Sequence, residues 1–200
     1  MKRKNRFSIY ALVAVFCAIS SAGVAAENRQ EPSFEKIQGR YNNFAWNYSI
    51  QFPNGWEVQT AFQGSAVRAL DPMSVNSRGR VTREITVQST KEPRKKNLDA
   101  IVDKLCSFKN CTVESRGETR ISGVDAQWIV YSTEVPEMFL GVSIQGQGYT
   151  HYMNYVFLKN ENLYIVGFAT ALDDLLQHKN EFEQTAGSFK FENLQAVPPD

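Results

Sequence analysis

The feature that most limits the fold is a pair of apolar segments near the C-terminus, residues 149–158 and 163–169, joined by Lys159-Asn160-Glu161-Asn162. In the first, Tyr149, Met153, Tyr155 and Phe157 fall on one face of an extended strand and Tyr152, Val156 and Leu158 on the other. In the second, Leu163 and Ile165 oppose Tyr164, Val166 and Phe168. An antiparallel strand with one wet face alternates apolar and polar residues cleanly. These two do not, so the hairpin they form is expected to be covered on both faces.

Helical segments on either side of it in the chain can supply the cover. Asn97 is a good N-cap for a helix over residues 98–108, with Leu98, Ile101, Val102, Leu105 and Cys106 on one stripe. From residue 172 onward, Leu175, Leu176, Phe182 and Ala186 recur at helical spacing, followed by Phe189 and Phe191. The remaining strands read from period-two alternation and turn chemistry. Tyr48, Ile50 and Phe52 alternate with Ser49 and Gln51; Pro53-Asn54-Gly55 turns the chain into a second strand over residues 56–59. Further strands are expected at residues 66–70, 81–90, 112–121, 125–133 and 140–145, with loops at 71–79 and 134–139 and glycine-flanked Gly146-Gln147-Gly148 before the final hairpin. The expected class is α+β, a central antiparallel sheet with helices on both faces, an α/β/α sandwich.

The chain starts with Lys2, Arg3, Lys4 and Arg6, then an apolar run over residues 9–19, then small residues ending in Val24-Ala25-Ala26. That order reads as a secretory signal peptide, with an apolar core too short to span a bilayer. The expected organisation is a signal peptide at 1–26, a polar leader at 27–45, one domain at 46–191 and a mobile tail at 192–200. Export to the periplasm, or beyond it, follows, with no membrane span left after cleavage. Removing four cations and no anion leaves 18 basic against 21 acidic residues, a net charge of −3 where the whole chain carries +1. A mildly acidic domain argues against generic nucleic-acid binding. Cys17 departs with the signal, and Cys106 and Cys111 remain as one disulfide in an oxidising compartment. Four residues between them, and a position at a helix end, disfavour a redox pair.

Several motifs resemble the PsbP-like superfamily, which includes the extrinsic P subunit of photosystem II and bacterial exported proteins of the DcrB type. The segment Tyr48-Ser49-Ile50-Gln51-Phe52-Pro53-Asn54-Gly55-Trp56 is similar to its opening hairpin. Gly123 with Trp128, Leu163-Tyr164-Ile165-Val166 and the closing Ser188-Phe189 follow in the same order. The resemblance implies the α/β/α sandwich. It implies assembly, stabilising or binding proteins rather than an enzyme, and it transfers no functional residue. The basic leader is unlike the transit peptide of the photosynthetic members.

Site candidates are few. His151 and His178 are the only histidines. Asp174 and His178 share a helix face, with Asp173 nearby, but zinc sites usually take three or four ligands, so a plain carboxylate–imidazole pair is the ordinary reading. His151 shares a face with Tyr149 and Met153 and reads as a packed or edge residue. No Gly-x-Ser-x-Gly elbow or phosphate-loop glycine pattern occurs. No cofactor and no metal is expected. The most uneven feature is charge: Arg78, Arg80, Arg83, Lys91, Arg94, Lys95 and Lys96 stand against only Glu84 and Glu92. Such a run could steer an anionic partner or simply guard a strand edge. The functional expectation is an exported, non-catalytic binding or assembly protein of the cell envelope, with an unknown protein or an anionic envelope component as partner. The alternatives are a small-molecule or metal-binding protein with a pocket beside residues 149–157, or an unmarked hydrolase.

Overall fold

The final hairpin forms as its pattern demands. In the computed structural model β9 (His151–Lys159) and β10 (Asn162–Thr170) pair along their whole length, from Lys159↔Asn162 to His151↔Thr170. The structure describes residues 34–35, 39–61, 66–75, 81–91, 97–107, 110–133, 151–170 and 175–193. The expected signal peptide, the strand at 140–145, the Gly146-Gln147-Gly148 turn, Tyr149, Asp173, Asp174 and the residues after 193 lie outside them. Asn160 and Glu161 close the hairpin with φ of 50° and 62°. Two successive left-handed residues in a two-residue loop make a type I′ turn, whose twist matches the strands.

This hairpin is the centre of an eight-stranded antiparallel sheet. On one side β9 is followed by β8 (Val124–Thr133) and the edge strand β7 (Cys111–Ile121); on the other, β10 is followed by β6 (Arg83–Lys91), β5 (Ala66–Leu70), β4 (Glu57–Ala61) and the two-residue β1 (Phe34–Glu35). A second, three-stranded sheet joins β2 (Arg40–Asn43), β3 (Tyr48–Gln51) and β11 (Lys190–Phe191). Helix α1 (Leu98–Leu105) precedes β7, and α2 (Leu175–Gly187) precedes β11. The protein is thus mostly β, with two antiparallel sheets and two helices among the described residues.

The second sheet departs from the expectation of a single central sheet. Its first strand lies in what reads as a polar leader, and its third is two residues at the far end of the domain. Tyr48 and Ile50 are wholly buried, and so is Ser49 between them. Both faces of β3 are therefore covered, and Ser49 survives there because its hydroxyl accepts from Arg40 (3.0 Å) and donates to Glu192 (2.7 Å).

Residues of opposite parity along β8, β9 and β10 feed two separate apolar clusters. One holds Val130, Met153, Tyr155, Phe157, Val166 and Phe168 and is joined by Tyr48 and Ile50 of β3 and by Leu175, Phe182 and Ala186 of α2. The other holds Ile129, Tyr131, Val156, Leu163 and Ile165 with Ile101 and Val102 of α1. Each such side chain contributes about 1.5–3 kcal/mol when fully buried. Asn97 caps α1, its side chain accepting the Asp99 N–H at 3.0 Å. Leu176 is not part of the α2 stripe. It is 84 % exposed, because the buried positions run through Leu175, Phe182 and Ala186, one residue round the helix. Cys106 and Cys111 are bonded, their Cα atoms 5.5 Å apart, and tie the end of α1 to the start of β7.

Candidate functional site at the hairpin rim

Three turns meet at one end of the large sheet. The β9–β10 turn is the first. The β7–β8 turn is there too, because β8 starts beside the end of β9, with Ala126 opposite Phe157. The third is the connection of β2 to β3, held by β11. Stacked rings lock this arrangement: Tyr48 lies 4.9 Å from Phe189 and Phe157 5.6 Å from Tyr164, each pair near parallel, with Phe191 edge-on to Tyr164 at 5.2 Å. Ser122 of the β7–β8 turn accepts the Phe191 N–H at 3.1 Å. Burial pushes the Tyr48 hydroxyl far above the usual phenol range, and burial likewise raises Tyr164, partly offset by its hydrogen bond with Asn162.

Over these rings lies an open cleft of about 510 Å³, in the size range of small-molecule sites. The β2–β3 connection contributes Trp46 and Asn47. Trp46 is held at its N–H by the Asn43 side chain (3.1 Å) and at its carbonyl by the Tyr164 hydroxyl (3.2 Å). The hairpin contributes Lys159, Asn160, Asn162 and Tyr164, and the chain after α2 contributes Phe191, Glu192 and Asn193. The Glu192 N–H closes the ring of segments by donating to the Asn47 carbonyl at 3.0 Å.

The two charges lining the cleft are already engaged. Lys159 Nζ sits 3.9 Å above the centre of the Phe191 ring, a cation–π contact, and the Glu192 carboxylate takes the Ser49 hydroxyl. Asn162 donates to the Tyr164 hydroxyl at 3.5 Å. The side chains of Asn47, Asn160 and Asn193 are exposed and make no hydrogen bond among the described residues. Asn47 and Asn160 both have φ of 50°, a conformation non-glycine residues rarely adopt and asparagine tolerates best.

Of the residues singled out from sequence, the described ones, Arg83, Lys91, His151 and His178, lie outside the cleft lining. Arg83 and Lys91 stand at opposite ends of β6, about 26 Å apart at 3.3 Å per residue, so they are not neighbours. Lys91 is exposed and pairs with Asn162 across the ladder, which places it beside the rim. Arg83 is committed at the far end: its guanidinium bonds the nearly buried Asp71 carboxylate at 2.7 Å and meets the His178 ring, at both Nε2 and Nδ1. A guanidinium only donates, so the ring nitrogen that bonds it accepts. His178 also lies 3.7 Å from Glu181, and its expected partner Asp174 is outside the described residues. His151 is half-buried at the start of β9, opposite Ser132 and Thr170. Arg78, Arg80, Arg94, Lys95 and Lys96 are outside the described residues. Among the described residues no three His, Cys, Asp or Glu side chains gather as a metal site, and no helix is long and apolar enough to cross a membrane.

Sequence reading missed the rim because its residues come from three distant segments. The one signal for it is the placement of asparagines in turns: Asn47, Asn160, Asn162 and Asn193 each flank a strand end.

Neither the family models nor the curated proteins contain a match to this chain. Solved structures do match. The cyanobacterial PsbP (CyanoP) of Synechocystis sp. PCC 6803 superposes with a TM-score of 0.53 at 16 % identity, covering 84 % of this chain and 98 % of that one. A variant of the protein Mog1 gives 0.51 at 9 % identity over 78 % of this chain and 98 % of its own. A protein of unknown function from Pseudomonas aeruginosa, PA94, described as a putative regulator, gives 0.45 at 12 % identity over 84 % and 99 %. Identities this low speak to architecture alone, and on architecture the chain has the PsbP-like fold; the segment Tyr48–Trp56 is not the hairpin expected from sequence, because β3 and β4 on either side of the Pro53-Asn54-Gly55 turn belong to different sheets.

Proposed function

We propose that this is an exported, non-catalytic binding protein of the cell envelope, and that its ligand sits in the rim cleft. The observation that carries the reading is the cleft itself. Folding engages the charges of Lys159 and Glu192 and the hydroxyl of Tyr164 internally, but leaves three exposed asparagines from three segments in the lining of one cleft. Amides fixed in turns on a rigid sheet bind well and catalyse poorly, since they neither exchange protons near neutral pH nor attack substrates. The N-terminal basic and apolar run and the Cys106–Cys111 disulfide support an oxidising, exported setting. The layering in this reading is an α/β/α sandwich, with α1 against one face of the large sheet and α2 with the small sheet against the other. The two apolar clusters of opposite parity support it.

Cosedimentation with isolated envelopes tests the site. Changing Asn160→Gly and Asn193→Ala together should lower the bound fraction several-fold, because each lost hydrogen bond is worth about 1 kcal/mol. Met73→Ser should leave it unchanged, since Met73 is 87 % exposed and belongs to the β5–β6 connection at the Arg83 end. Equal binding by all three proteins overturns the reading.

A further inference from the structure

The chemistry of the rim also points to what it binds. We infer that the rim cleft takes a neutral oligosaccharide. The inference rests on the cleft being the binding site and adds the ligand class.

Three observations bear on it. The first is charge. Lys159 and Glu192 both line the cleft, but one ammonium is parked on the Phe191 ring and the one carboxylate is occupied by Ser49. With one charge of each sign, the lining is neutral in sum and favours neither an anionic nor a cationic ligand. The second is the set of open groups. Asn47, Asn160 and Asn193 each present a planar pair of donor and acceptor. Sugar hydroxyls are donors and acceptors at once, and adjacent hydroxyls on a ring match an amide edge. A metal ion, by contrast, would find no cluster of ligating side chains among the described residues. The third is Trp46. It is half-buried, lines the cleft and packs against the apolar core, with its backbone held at both the N–H and the carbonyl, so its indole supplies apolar surface that is already partly ordered. The C–H face of a pyranose is apolar and packs on such a surface, while its rim of hydroxyls meets the amides. Lys91, beside Asn162 but outside the cleft lining, is the cation an acidic glycan would engage, and it makes the salt response diagnostic.

The experiment titrates the folded protein with cellotetraose and with chitotetraose at millimolar concentration, reading the side-chain amide signals of Asn47, Asn160 and Asn193 by heteronuclear NMR. At least one sugar should give saturable shifts confined to the rim, unchanged when salt is raised. Asn193→Ala and Asn160→Gly, the latter keeping the left-handed backbone, should each weaken binding by about tenfold or less while leaving the urea midpoint in place. No shift with either sugar overturns the inference. So does an acidic tetrasaccharide, tetragalacturonate, that moves the same signals more strongly than the neutral sugars and loses that binding as salt is raised, which marks a charged ligand held by Lys91. If an uncharged tetrapeptide moves the same signals and the sugars do not, the saccharide class falls while the rim remains the binding site. If the sugars fail and envelope binding also ignores the rim variants, both readings fall.

Discussion

The two ends of the large sheet handle polar groups in opposite ways. At the end where β6 begins, charges are drawn in and neutralised across elements: Arg83 with Asp71 at 2.7 Å, and Arg83 again with His178 of α2. Nearby, Arg68 bonds the buried Glu84 at 2.6 Å. At the rim end, the hydrogen bonds that folding makes run through backbone, hydroxyls, the Asn43 and Asn162 amides and the Glu192 carboxylate, with one cation–π contact beside them, and three exposed amides make none. Paired, half-buried charges are what a stable chain needs to hide polar atoms; unpaired amides grouped around a cleft are not needed for stability. The difference directs the search for function to the end whose amides folding leaves unengaged.

The comparison breaks most easily at Arg83. Arg83→Leu leaves the Asp71 carboxylate, whose side chain is 8 % exposed, without its cation, and should cost about 3 kcal/mol in urea denaturation. Rim binding should be untouched. A cost below half of that, or a loss of rim binding, would mean the two ends are not separable. Next in size is the disulfide. Cys106→Ser with Cys111→Ser releases a short loop and should lower stability by about 2 kcal/mol, again without effect on the rim. Tyr164→Phe tests the rim from beneath. It removes the hydroxyl that holds the Trp46 carbonyl, so stability should fall by about 1 kcal/mol and ligand binding should fall with it. This is the one substitution of the three expected to move both readouts.

How far these features were legible in the chain follows from their physics. The β9–β10 hairpin, β5, α1 with its Asn97 cap and the Cys106–Cys111 pair all depend on local pattern: alternation, capping chemistry and short spacing. The small sheet does not. Alternation at Tyr48, Ile50 and Phe52 says that a strand is buried, yet nothing in it says that the partners are Arg40–Asn43 and the two residues after α2. The same limit hid the rim, since Trp46, Lys159 and Glu192 are brought together only once that sheet has formed. Nearness in sequence is not nearness in space for a related reason. Arg83 and Lys91 are close in sequence, but an extended strand carries them to opposite ends of the molecule's main sheet.

The smallest expected effect has the opposite sign. A type I′ turn prefers glycine at its second position, yet Glu161 occupies it with φ of 62°. Holding a side chain in that region costs about 1 kcal/mol, so Glu161→Gly should raise stability by roughly that amount despite the greater freedom of glycine in the unfolded chain. The substitution leaves Asn160 and the strand register in place. If the rim works as a pre-formed site, a more relaxed turn should keep ligand affinity within a factor of about two while the urea midpoint rises. A rise in stability accompanied by a large loss of affinity would show instead that the strain at Glu161 sets the angle at which Asn160 meets its ligand, and the contrast between the two ends would then include backbone strain as well as charge.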